Sequence, residues 1–238
     1  MSCPYTLVAA LVLSGVYLLG NKLRERSHRR WISIAAGVSV ATIFLDLLPE
    51  ISEHQTAFLN AHHPGIALFP EQAVYLSAML GFVLFYGFQD MLAGSTTEEG
   101  ELSRLFFSLQ ITAFALYSGF IAYLLVHNVW NDARSLFLYA LAMAFHLFLV
   151  GHSLAHDHPN RYEHYGRWIL AVAIMGGWSC GILTSIPEAW LARTTGFVAG
   201  GVIMNSLVVE LGEGRGGRFI PFAVAAATYS IVLIAVLG

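Results

Sequence analysis

Apolar residues in this chain are gathered into long uninterrupted runs, and those runs constrain the fold more than any other feature. Residues 6–20 read TLVAALVLSGVYLLG, and residues 219–238 read FIPFAVAAATYSIVLIAVLG. About 20 apolar residues in a helix cross the hydrocarbon core of a bilayer. Only 11% of the 238 residues are charged, against 57% hydrophobic; a soluble domain carries about 25% charged residues. The expectation is an all-α, polytopic membrane protein with a single membrane domain.

Eight spans are expected, over about 4–21, 30–51, 71–92, 102–127, 135–156, 165–185, 189–212 and 218–238. Connections this short leave no room for a soluble domain. The longest, residues 52–70, contains two prolines and reads as an ordered external loop. The first run lacks a basic leader and a small-residue cleavage site, so it reads as a retained helix. Cys3 and Cys180 lie far apart in sequence and read as unpaired thiols. A net charge of −3 gives no reason to expect a nucleic-acid partner.

Basic residues set the expected orientation. The first connection, NKLRERSHRR, holds Lys22, Arg24, Arg26, Arg29 and Arg30. Alternate connections add Arg104, Arg161, Arg167, Arg215 and Arg218, so ten of the twelve Lys and Arg residues fall on one side. That side is expected to be cytoplasmic, with both termini extracytoplasmic.

Two segments echo each other. In AGVSVATIFLDLLPE (36–50), Gly37 precedes Asp46 by nine positions; in GGVIMNSLVVELGEG (200–214), Gly201 precedes Glu210 by nine. A second acid, Glu50 or Glu213, follows each. The segments cross in opposite directions, the pattern of an inverted repeat relating spans 1–3 to spans 6–8. Acids at span ends must face water, a partner or an ion. Asp46 and Glu50 are thus candidates for an outer vestibule, and Glu210 and Glu213 for an inner one. Capping of helix ends is the structural alternative.

These features resemble the ZIP (Zrt/Irt-like) divalent metal transporters. GVSVATIFLDLLPE resembles that family's second span, AGGVIMNSLVVELGEG its seventh, and ALAMAFHLFLVGHSLAHDH (140–158) its fifth. Span number, a basic first loop and outside termini agree. The central motifs depart from the pattern. Where the family's fourth span carries His-Ser/Asn-x-x-Asp/Glu, this chain reads YSGFI, with Tyr117 and Ile121 in place of the histidine and the acid. In the fifth span, HLFLVG keeps His146 and Gly151 but has Leu147 and Val150 where the family has acids. The two-metal centre that the resemblance implies is therefore mostly missing.

The histidines carry the remaining metal chemistry, because imidazole with carboxylate suits zinc and similar cations. At 100° per residue, His146, Ser153 and Asp157 share one helical stripe, and His152 and His156 form a separate i,i+4 pair. A satisfied core histidine is the plain alternative for His146, and a polar turn is the alternative for the residues around His156.

The expected function is movement of a divalent cation of the zinc, iron or manganese class toward the cytoplasm. His146, Ser118 and Asn205 would serve the middle of the path, and Asp46, Glu50, Glu210, Glu213, His152, His156 and Asp157 its ends. The metal is substrate, and no resident cofactor or enzymatic activity is expected. Expected partners are the bilayer and the metal, with a homodimer allowed, in a plasma or inner membrane. The alternative is a transport-inactive ZIP-like sensor or partner protein. A third reading, an intramembrane zinc hydrolase, suffers because all its ligands would come from one helix.

Overall fold

A computed structural model describes residues 3–26, 28–60, 72–93, 101–127, 133–211 and 219–237. It is almost wholly helical: α1 (Cys3–Arg26), α2 (His28–Thr42), α3 (Leu48–Asn60), α4 (Ala73–Ala93), α5 (Glu101–His127), α6 (Ala133–Asp157), α7 (Pro159–Arg161), α8 (Arg167–Leu183), α9 (Glu188–Leu211) and α10 (Phe219–Leu237). Four stretches, Trp31–Glu53, Phe107–His127, Ala133–His156 and Pro159–Leu183, are helical, long and apolar enough to cross a membrane. Three shorter apolar helices accompany them, at Pro4–Gly20, Ala73–Gly87 and Phe219–Ala235. Large apolar side chains such as Val8, Leu19, Val83 and Ile234 lie on the outer surface of the bundle. An apolar exterior is what contact with lipid requires.

The expected second span is longer than the sequence reading gave. From His28 the backbone stays helical to Asn60, so residues 52–60, read as loop, continue the helix. A π-helical turn over Ile43–Leu47 joins α2 to α3, and the Leu48 N–H donates to the Ile43 carbonyl. Pro49 supplies the reason. It has no N–H for the Leu45 carbonyl, and its ring crowds that carbonyl, so a regular α-turn cannot close there. Widening by one residue is a known way to absorb such a break. The LDLLPE stretch therefore builds a local irregularity, and Asp46 sits inside it.

Gln55 ties α3 to the next helix. Its buried side-chain oxygen accepts from the Val74 N–H at 2.9 Å, satisfying one of the donors left unpaired at the start of α4. The extended link 184–187 between α8 and α9 is held by Tyr123. The Tyr123 hydroxyl accepts from the Ile186 N–H at 3.0 Å. The expected start of the sixth span also differs: residues from Pro159 are already helical, with a second π-helical turn over Tyr162–Gly166 leading into α8.

Packing follows small residues. α4 lies along α9, α10 along α2 and α5 along α8, while α1 contacts both α6 and α8. A Cβ on Gly200 would overlap the Ala78 carbonyl of α4, and one on Gly37 would overlap the Phe222 carbonyl of α10. Backbones this close admit no side chain, the mode by which helices associate in lipid. Pairing positions also fix relative directions. Gly196 meets Val74 and Gly200 meets Ala78, so α9 and α4 run parallel. Gly119 meets Ala173 and Gly181 meets Tyr123, so α5 and α8 run parallel. Trp178 donates to the Thr6 hydroxyl at 3.2 Å and Ser14 to the Ala171 carbonyl at 3.2 Å, so α1 and α8 run antiparallel.

Candidate functional site

The interior of the bundle is not uniformly apolar. His146 on α6 is fully buried, and its Nε2 lies 2.6 Å from the Tyr117 hydroxyl of α5. The two rings meet edge-on, with centroids 5.7 Å apart. Nδ1 of His146 has no hydrogen-bond partner. Tyr117 is boxed by Phe85, at 5.2 Å between centroids, and by Phe114, at 6.3 Å. Leu147 and Val150, at the positions where the ZIP pattern has acids, are fully buried.

Ser118 faces elsewhere. Its hydroxyl lies 2.9 Å from that of Tyr17 on α1, in a buried pair. The two consecutive residues Tyr117 and Ser118 thus bind α5 to two different helices. Tyr17, absent from the residues picked out by sequence, is buried against Gly151: a Cβ on that glycine would lie 3.3 Å from the Tyr17 ring and 2.7 Å from the Tyr162 hydroxyl. Its only sequence signal was a polar residue in an apolar run, three positions after the buried Ser14.

Other polar groups lie along the same interior. Asn205 on α9 and Gln110 on α5 are almost completely buried, and both polar atoms of each amide lack a protein partner. The hydroxyls of Ser39 and Thr195 are likewise buried and unpartnered. An unsatisfied buried polar group costs about 1–3 kcal/mol, so four such side chains in one interior are a marked feature. Gly201 faces the Tyr117 ring, and Asn205 lies one turn further along α9, about 6 Å away by helical rise. Gln110 lies two turns before Tyr117 on α5, about 10 Å away.

Asp46 is half-buried in the π-helical turn, and α10 carries a buried tyrosine hydroxyl, that of Tyr229. That hydroxyl donates to the Leu138 carbonyl of α6 at 2.8 Å. Leu138 precedes His146 by eight residues, about 12 Å along the helix axis. The structure therefore brings His146 together with Tyr117, and Tyr229 together with Leu138. It pairs Ser118 with Tyr17 rather than with the imidazole.

His152 and His156 differ in environment, the first half-buried and the second exposed. His158 packs edge-on against Phe107, with centroids 5.1 Å apart. The side chains of Glu50, Asp157 and Glu210, and the whole of Glu213, lie outside the described residues. Among the described residues, no three His, Cys, Asp or Glu side chains converge on a point that could hold a metal ion. No family model, curated protein or solved structure matches the chain.

Proposed function

We propose that the chain is an eight-pass transporter of ZIP-like architecture that moves a divalent metal cation toward the cytoplasm. The observation that carries this reading is His146. A fully buried imidazole, with one nitrogen held by Tyr117 and the other unpartnered, is a neutral donor poised inside an apolar bundle. If the Tyr117 hydroxyl accepts from Nε2, the Nδ1 lone pair is left for a cation. From the level of Leu138 the Tyr117–His146 pair lies about 12 Å along the axis, with Asn205 about 6 Å and Gln110 about 10 Å beyond it. Successive weak sites of this kind replace water ligands without trapping an ion.

Helix packing supports the inverted repeat. Exchanging spans 1, 2 and 3 with 6, 7 and 8, and span 4 with 5, turns the α4–α9 pair into α10–α2. It also turns the α5–α8 pair into α6–α1. All four contacts are present. The directions derived from the glycine and hydrogen-bond pairs agree with strict alternation across a bilayer, and the ten-to-two distribution of basic residues supports cytoplasmic placement of the first connection.

A second reading, a transport-inactive relative acting as sensor or partner, is favoured by the aromatic packing of Phe85, Phe114 and Tyr117 beside His146. Kinetics of the acidic pairs separate the two. Asp46→Asn with Glu50→Gln is expected to raise the apparent KM for metal uptake, more so at low salt, because attraction of a cation to a wet vestibule is screened by salt. Glu210→Gln with Glu213→Gln is expected to lower maximal flux instead. Identical kinetics in the two double variants would leave the acids as helix caps.

A further inference from the structure

The amides of Gln110 and Asn205 belong to different helices and share one unusual condition. Gln110 is 1% exposed and Asn205 2%, and neither the oxygen nor the nitrogen of either amide has a hydrogen-bond partner. Their places on α5 and α9 bring them to one interface. A Cβ on Gly201 would lie 3.1 Å from the Tyr117 ring. The Ile186 N–H, just before α9, donates to the Tyr123 hydroxyl of α5 at 3.0 Å. Moving forward along α9 therefore means moving backward along α5, so the two helices run antiparallel. Asn205 follows Gly201 by one turn on the same face, and Gln110 precedes Tyr117 by two turns on the same stripe. From the Gly201–Tyr117 contact both amides lie in the same direction, Asn205 at about 6 Å and Gln110 at about 10 Å. They face one interface with an axial offset of about 4 Å.

Burying an amide without partners is costly, so the arrangement calls for a ligand that both side chains can bind. The donor chemistry says which. Carbonyl oxygen and water suit hard cations, whereas imidazole nitrogen suits zinc and its neighbours. Here the two donor types are set apart: His146 lies at the level of Tyr117, and the amides lie a turn or more beyond it. Among the described residues no Asp, Glu, Lys or Arg is buried, so neutral dipoles offset the charge of an ion at this level. The cost of taking an ion out of water rises with the square of its charge, so such surroundings favour one charge over two. Calcium and magnesium sites draw on carboxylates, while neutral carbonyl oxygens suffice for potassium and sodium. Sodium is about as large as calcium, whose oxygen ligands lie at about 2.3–2.6 Å. One ion of that size spans two oxygens offset by about 4 Å.

We infer that Gln110 and Asn205 hold one alkali-metal cation between their amide oxygens, with the amide nitrogens donating to waters that complete its shell. The site goes beyond the proposed divalent transport. It stands on the packing of α5 against α9 and holds whether or not a divalent ion moves; only its role as companion to a transported metal rests on that reading.

The test uses the purified full-length protein, freed of divalent metal by a chelator, so that ion binding and metal flux are read separately. Thermal unfolding is followed as choline chloride is replaced stepwise by sodium or potassium chloride at constant ionic strength. At least one alkali ion is expected to raise Tm saturably, by about 3–6 °C at ten times its Kd. Gln110→Leu and Asn205→Leu, apolar and of similar volume, should each keep the fold and lose that shift. A second readout needs no variant: equilibrium binding of radioactive sodium or rubidium to the wild-type protein should saturate at about one ion per chain. Melting that is identical in all three salts, or no saturable binding, would overturn the site and leave the amides to water alone. So would a shift that persists undiminished in both leucine variants.

Discussion

The Tyr117 hydroxyl and the His146 Nε2 are 2.6 Å apart, and neither residue is open to solvent. This contact joins α5 to α6 deep inside the bundle. Each partner satisfies the other, so removing one leaves a polar group buried and unpaired.

A double-mutant cycle should report that coupling. Tyr117→Phe and His146→Leu are each expected to destabilise the folded protein by about 1–3 kcal/mol. The double variant should recover part of this, with a coupling of about 0.6 kcal/mol, the average for hydrogen bonds between membrane helices, and at most about 1.7 kcal/mol. Chemical denaturation in mild detergent measures it. Strict additivity would mean that the contact contributes no net stability.

Close backbone packing makes a second prediction. Gly37→Ala and Gly200→Ala place a methyl group against the backbone of α10 and α4 respectively, and each should lower stability by about 1–3 kcal/mol. Gly15→Ala meets open space and should change stability by no more than about 0.5 kcal/mol. Thermal unfolding of the three variants side by side decides the matter. An equal response from all three would contradict the packing described here.

Much of this architecture was legible in sequence. Apolar runs located the helices to within a few residues for α4, α5, α6, α9 and α10, because lipid solvation demands long apolar segments with little ambiguity. The two glycines of the nine-residue echo differ in surroundings: Gly37 lies against the α10 backbone, whereas Gly201 meets the Phe85 and Tyr117 side chains. The reading went astray at Pro49. A proline followed by a polar stretch predicts the end of a span, whereas a π-helical turn absorbs the break and the helix goes on to Asn60. Ser118 and His146 each keep one position of the two span motifs, which groups them on paper; the structure separates them. A helix turns 100° per residue, so neighbours such as Tyr117 and Ser118 address different helices, and sequence gives no sign of which. Tyr17 was missed for the same reason: its partner lies 101 residues away.

Orientation can be read with thiol labels once Cys3 and Cys180 are replaced by serine. Asn60→Cys, at the end of α3, should react with an impermeant reagent only from outside. Asn160→Cys, exposed between α6 and α8, should react only from the cytoplasm. Labelling of both from the same face would contradict the alternating arrangement of eight crossings.

Metal flux tests the central claim most directly. Purified protein in sealed proteoliposomes should show saturable initial uptake of at least one ion from a panel of zinc, iron, manganese, cobalt and cadmium. His146→Ala, confirmed as folded by its melting profile, should abolish the saturable component for that ion. Flat traces for every ion with folded wild-type protein, or saturable uptake unchanged in His146→Ala, would contradict transport through the Tyr117–His146 site.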